Sequence, residues 1–258
     1  MKEEITRFAD STVFEGMTSI RAVINSSLSG VSDRKIFKIF VDREKVKAKK
    51  DDISYLRTVS KELSFEIELK DAADIDSITV GNSHGGIVAL CSGRSIPQFS
   101  EKYICENGFY VMLEGIEDPY NFGYAIRSIY AAGADGIILA PRNWMSAAGV
   151  VCRSSAGASE LMPLYVSDPS DAVDVFLNKN YKTVAAGIRN SISAYDANLK
   201  RPLFLVVGGE KRGISRTVLD KCSTVVRLEY GREFRASLSA ASAASILAYE
   251  VLRQNIKK

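Results

Sequence analysis

Three short stretches hold the polar residues whose types and spacing could build a site. The first runs from Leu113 to Gly123 (LEGIEDPYNFG) and continues to Arg127. It reads as a strand end, a polar loop and a helix start. That pattern puts Asn121 and Arg127 where parallel sheets bind ligands, at the carboxyl ends of strands. The second is Val206 to Ser215 (VVGGEKRGIS), in which Gly208 and Gly209 follow a strand directly. Glycines at such a place let backbone groups come close to a ligand, and Glu210 adds a carboxylate to the same loop. The third runs from Leu228 to Ser239, where Ser237 and Leu238 lead into the small-residue run Ala240 to Ala244. Small residues permit close helix contact or the passage of another chain segment. Each stretch also has an ordinary reading. Asn121 and Ser237 can be plain helix caps, Arg127 a solvated helix charge, and the glycine loop a simple strand-to-helix turn.

Other chemistries are excluded by what the sequence lacks. No GxGxxG follows a strand, and no GxxxxGK[ST] occurs. A single histidine, His84, makes an HExxH zinc helix impossible and a Ser-His-Asp triad hard to assemble. His84 sits in a glycine turn and reads as structural, bonded to backbone. The four cysteines, Cys91, Cys105, Cys152 and Cys222, form no CxxC pair. No metal is therefore expected, and the cysteines read as reduced core thiols. The chain has 258 residues, 46% apolar and 25% charged, with a formal net charge of +3. This is the profile of a globular protein of one large domain or two ordinary ones, in which local basic patches can still bind phosphate. The start MKEEITRFADS has no apolar h-region and no run approaches a membrane span, so a cytoplasmic protein with no membrane partner is expected.

The elements that must position these residues alternate between two periods. In the first part, apolar spacing predicts a helix over Met17–Ser27, a strand over Ile36–Val41, a helix over Ile53–Leu63, and strands over Phe65–Leu69 and Ile87–Leu90. The polar stretch Ser92–Ser100 reads as a linker. Beyond it, strands are predicted at Tyr110–Leu113, Gly136–Leu139, Thr183–Ala186, Leu203–Val207 and Val225–Leu228. Helices are predicted at Asn121–Ala132, Ala172–Asn178, Ser215–Lys221 and Ser237–Arg253. The alternation argues an α/β fold with a parallel sheet covered on both faces. The expected domains are residues 1–100, small and α/β, and residues 101–258.

Taken together, the order and loop positions of the three stretches resemble the signature motifs of the SpoU/TrmH branch of the SPOUT RNA methyltransferases. Pro119, Asn121, Gly123 and Arg127 match the family's Pro, Asn-x-Gly and downstream Arg. Gly208, Glu210 and Gly213 match its Gly-x-Glu-x-x-Gly. Ser237 and Leu238 match its Ser-Leu-Asn helix start, with Ser239 in the Asn place. Ser154–Ala158 is similar to the family's Ser-x-Gly-Ala loop, and Gly81–Ala89 to a strand of its smaller domain. The resemblance covers roughly residues 105–255. It implies a C-terminal domain closed by a deep trefoil knot, an exception to unknotted folding. It also implies S-adenosylmethionine held by Gly208, Gly209, Leu228 and Leu238, a homodimer, and an active site at the dimer interface.

The implied reaction is attack of a ribose 2′-OH on the sulfonium methyl, with Asn121, Arg127, Glu210 and Ser237 as the catalytic set. The family's motif arginine is usually assigned as the base. An arginine with a pKa of about 12.5–13.8 is neutral in roughly one molecule in 10⁶ at pH 7. Arg127 is better cast as a clamp on phosphate and on developing oxyanion charge, oriented by Asn121 and Glu210. The N-terminal unit resembles the family's RNA-binding domain, and its run Arg43–Lys50 (REKVKAKK) is either a phosphate-contacting patch or a solvated loop. The expected partner is RNA, rRNA rather than tRNA. The alternative is a non-catalytic RNA-binding relative, such as an assembly factor, which Ser239 would suit.

Overall fold

The structure, a computed structural model, describes residues 12–80, 84–141, 147–209, 212–233 and 236–256. Its first elements are β1 (Thr12–Glu15), α1 (Gly16–Leu28), β2 (Ile36–Asp42), α2 (Lys50–Leu63), β3 (Glu66–Lys70), α3 (Ala72–Asp76) and β4 (Ile87–Cys91). Then come β5 (Phe109–Glu114), α4 (Pro119–Ala131), β6 (Gly136–Leu139), α5 (Ala148–Ser154), α6 (Ala158–Leu161) and β7 (Leu164–Val166). The last are α7 (Pro169–Asn178), β8 (Lys182–Ala186), β9 (Ile192–Ser193), β10 (Leu203–Gly208), α8 (Arg216–Lys221), β11 (Thr224–Arg227) and α9 (Ala240–Asn255). Contacts divide the chain into two compact units. One comprises residues 1–95 with 143–161, the other 96–142 with 162–258.

The first unit is a four-stranded sheet in the order β1-β4-β2-β3, with β2 and β3 parallel and the other pairs antiparallel. Ile20, Val23 and Ile24 of α1 and Ile53, Leu56 and Val59 of α2 face its core at helical spacing. The basic run is largely offset by acids: Arg43 pairs with Asp71, Lys45 with Asp42 and Lys49 with Asp52. His84 is structural, as its glycine-turn setting predicts. Nδ1 accepts the Gly86 N–H at 3.1 Å, which leaves Nε2 to donate to Asp76 at 2.7 Å. The thiols are not uniformly in the core. Cys91 and Cys152 are fully buried, Cys222 is partly so and Cys105 is exposed. Burial, helped by the nearby Glu160 carboxylate, pushes the Cys152 thiol up to about 12, so it stays protonated and inert.

Helices α5 and α6, for which the periodicity gave no signal, belong to this first unit. Between them Ala156 and Gly157 take positive φ, and Gly157 packs on Ala22 of α1. The tie is a buried ion pair. The Arg34 Nε and Nη2 donate to the two Glu160 carboxylate oxygens at 2.8 and 3.2 Å, Nη1 donates to the Ser92 carbonyl at 2.5 Å, and the guanidinium lies over Phe14. Both side chains are only 4% exposed. Removing one partner of such a pair leaves a buried charge uncompensated, which costs about 3–5 kcal/mol. Arg34→Ala is expected to lower urea-unfolding stability by that order, and Arg34→Met with Glu160→Leu to recover most of it. A loss near zero in the single variant would show that the pair is not what holds α6.

The second unit holds a seven-stranded sheet in the order β7-β6-β5-β10-β8-β11-β9, parallel at every pairing. Its central strands are buried nearly throughout, as a parallel sheet covered on both faces requires. Phe176 of α7 stacks on Phe204 of β10 at 4.0 Å between ring centroids. Residues 97–99, read as linker, extend this sheet instead: the Val166 N–H donates to Pro97 O and the Phe99 N–H to Val166 O. On α9 the small residues Ala240, Ala241, Ala244 and Ala248 are buried, which suits close approach to α4. The end of α9 is strapped to the segment before β10. Gln254 bonds Ala197 O and Leu199 N, and Asn255 bonds Leu199 O and Arg201 N.

Candidate active site

A cleft of about 730 Å³ opens where β8, β10 and β11 end, and three loops and a helix meet around it. Its walls come from Gly187–Arg189 after β8, Gly208, Gly209, Gly213 and Ile214 after β10, Leu228–Tyr230 after β11, and Ser237, Leu238 and Leu247 around α9. The strands are neighbours in the sheet, so their carboxyl ends must lie side by side. Two stretches far apart in sequence, the glycine loop and the Leu228–Leu238 segment, are thereby brought to one cavity. Gly208, Gly209, Leu228 and Leu238 all line it, together with Ser237.

The glycine loop is held very close to the loop after β5. The Gly209 N–H donates to the Glu114 carbonyl at 2.6 Å, and the Gly213 N–H turns back to Gly209 O at 2.9 Å. A Cβ on Gly209 would stand 2.1 Å from the Gly115 carbonyl oxygen. One on Gly208 would stand 2.4 Å from the Gly213 carbonyl carbon. Both neighbours are backbone and cannot swing aside, so only glycine fits. The Glu114 carboxylate faces the Ser215 N–H at 3.4 Å from each oxygen. Burial pushes its carboxyl above the usual carboxylate range, against the pull of the Ser215 hydroxyl and N–H. Glu114 thus fastens both ends of the loop. The motifs did not single it out; its place as the last residue of β5, beside Gly208 in the sheet register, was the available signal.

The remaining site residues are arranged differently. α4 begins at Pro119, two residues before the expected Asn121, because Asp118 caps it by accepting the Asn121 N–H at 2.8 Å. The Asn121 side chain is therefore not the cap. Arg127 is exposed on α4, and neither it nor Asn121 is among the residues lining the cleft. Helical spacing aligns Arg127 with Tyr120 and Tyr124, which are 45% and 50% exposed, on one outward face. Glu210 and Arg235 lie outside the described residues. α9 starts at Ala240 rather than Ser237 because Ser239 is its cap, with Oγ accepting the Ser242 N–H at 3.1 Å. Ser237 is left free of that task, facing the cleft. The loop after β8, with Arg189, was not marked by any motif. Its signal lies in topology, since β8 sits between β10 and β11. Among the described residues no group of three or more His, Cys, Asp or Glu is placed to hold a metal ion. No helix of the described residues is long and apolar enough to cross a membrane.

Comparison with known proteins agrees with this geometry. A model of the SpoU rRNA Methylase family matches residues 108–249. YacO of Bacillus subtilis, named as a TrmH family tRNA/rRNA methyltransferase, is 29% identical over 231 residues, which cover 86% of this chain and 90% of that protein. The crystal structure of an RNA 2′-O ribose methyltransferase shares the fold with a TM-score of 0.76 at 22% identity, covering 95% of this chain and 89% of the other. The structure of a Sinorhizobium meliloti rRNA methyltransferase with bound S-adenosylmethionine shares it with a TM-score of 0.76 at 21% identity, covering 99% and 92%. The family match takes in 142 of the 258 residues and every loop that builds the cleft. The chain therefore belongs to the SpoU rRNA methylase family, a family of RNA methyltransferases.

Proposed function

We propose that this protein transfers the methyl group of S-adenosylmethionine to a ribose 2′-OH in RNA, rRNA rather than tRNA, acting as a cytoplasmic homodimer. The observation that carries this reading is the cleft itself. Apolar walls and glycine backbone suit a nucleoside, and Ser237 offers a hydroxyl at the same place. When bound, the cofactor supplies an electrophilic methyl on a sulfonium. Gly208, Gly209, Leu228 and Leu238 hold it, mostly with backbone. Asn121, Glu210 and Ser237 orient the target nucleotide, and Arg127 grips its phosphate and balances charge on the ribose oxygen as the proton leaves. The strap between α9 and residues 197–201 is what a knotted C-terminus would need to stay closed.

The position of Arg127 supports the homodimer. It shares an outward face with Tyr120 and Tyr124, and Ile246 and Tyr249 are exposed on α9, the helix that packs against α4. A second copy seated on these helices would cover the tyrosines and bring an arginine into play. The first unit, with Lys47 and Lys50 exposed, is assigned to RNA contact.

The experiment is methylation of total RNA from a strain lacking the gene, with nucleotide mapping and sedimentation of the same preparation. Transfer to one 2′-OH by a dimer is expected. One observation favours the second reading, a non-catalytic RNA-binding relative: the Ser239 hydroxyl, in the family's Asn place, is occupied as the helix cap. If the protein binds cofactor but transfers nothing to any RNA in that pool, that reading stands. If it is active, the contact made by the family's Asn has moved from Ser239 to the arginines of the adjacent loop, and Arg232→Ala or Arg235→Ala should lower turnover more than Ser239→Ala. The reverse order would place the lost contact at Ser239 after all.

A further inference from the structure

Among the described residues three charged ones line the cleft, and two of them are spoken for. Arg227 pairs with Glu229 at 2.8 Å and donates to the Ser191 carbonyl at 2.5 Å. The third, Arg189, forms no ion pair or hydrogen bond among the described residues. Its loop is nonetheless built. The Gly187 N–H donates to Val226 O at 2.9 Å, the Ser191 hydroxyl to Ile188 O at 2.7 Å, and Asn190 takes a left-handed turn at φ 52°. Arg227 thus spends its charge fixing the loop that presents Arg189. Among the described residues this leaves the cleft one uncompensated positive charge, facing apolar side chains, glycine backbone and the hydroxyls of Ser237 and Tyr230.

S-adenosylmethionine has one anionic group, the carboxylate of its methionyl tail; its sulfonium and ammonium are cationic. An unpaired arginine repels the last two and complements only the first. We propose that Arg189 binds the methionyl carboxylate, and that it sets the cleft's preference for the complete cofactor over adenosyl ligands lacking that group. This rests on the cofactor assignment made above. The guanidinium fork matches a carboxylate in two parallel hydrogen bonds, which lysine cannot reproduce.

The test is titration calorimetry on the full-length protein, wild type and Arg189→Ala, with S-adenosylmethionine and with its decarboxylated analogue. Wild type is expected to prefer the complete cofactor by roughly tenfold or more, the effect of a charge-assisted pair at a partly exposed site. Arg189→Ala should lose that preference by weakening only S-adenosylmethionine, and Arg189→Lys should keep part of it. The side chain is exposed, so melting temperatures should stay at the wild-type value and show that the variants are folded. Equal weakening of both ligands, or no change in either, overturns the proposal. If cofactor binding is untouched while RNA binding on filters weakens, the arginine serves an RNA phosphate instead, and the proposal fails. If the wild type itself binds no S-adenosylmethionine, the cofactor assignment fails first and takes this inference with it.

Discussion

Gly209→Ala should weaken binding of S-adenosylmethionine so far that concentrations saturating the wild type no longer saturate the variant. The added methyl would stand 2.1 Å from the Gly115 carbonyl oxygen and 2.5 Å from its carbon. Gly115 is hard to shift, because it turns at a positive φ of 81° directly after β5, whose residues up to Leu113 are buried. The loop from Gly208 to Ile214 must therefore lift away from β5, breaking the 2.6 Å bond from the Gly209 N–H to Glu114 O. Overpacking of this kind costs about 1–3 kcal/mol of stability. The same displacement moves a cleft wall, so affinity should fall by roughly 10–100-fold or more. Gly231→Ala is the control, since no described residue lies within 4 Å of its added Cβ. Calorimetry and thermal melts of the two variants decide the matter. A Gly209→Ala protein with native affinity and native melting temperature would mean that the glycine loop does not shape the cofactor cleft.

The parts of this site that were legible in the sequence are those whose chemistry is local. A glycine pair after a strand reports close backbone approach wherever it occurs, and Gly208 and Gly209 line the cleft. The alternation of periods gave the parallel sheet, because a strand buried on both faces is apolar along its length. What escaped depended on distance across the chain. Glu114 matters because its strand lies beside β10, nearly a hundred residues later, and Arg189 because β8 is flanked by β10 and β11. Helices α5 and α6 escaped for a similar reason. Their burial comes from β1, α1 and the Arg34–Glu160 pair, which link residues more than a hundred positions apart, and not from an amphipathic stripe of their own. Helix starts were misplaced by two and three residues where two capping candidates competed. Asp118 with Pro119 beat Asn121, and Ser239 beat Ser237, each because its side-chain oxygen reaches an N–H three residues on.

Arg127→Ala should lower the methyl-transfer rate about 10²–10³-fold, the usual cost of losing one charge-stabilising donor, while cofactor affinity stays within a factor of about two. The separation follows from position. Arg127 is exposed on α4 and is not part of the cleft wall, so its removal disturbs no cofactor contact. Arg127→Lys should recover little, since a point charge cannot reproduce the guanidinium fork. The more searching question is whose cleft Arg127 serves. Tyr120, Tyr124 and Arg127 share one outward face of α4, the surface a second copy would cover. If so, the arginine acts on its partner's nucleotide. A mixed dimer answers this. Pair a protomer carrying Arg127→Ala, whose cleft is sound, with one carrying Gly209→Ala, whose arginine is intact. Both homodimers should be inactive. Service in trans restores one working site per heterodimer, and about half of wild-type turnover for that species. Service in cis leaves the heterodimer as dead as its parents, which would return Arg127 to its own protomer's active site.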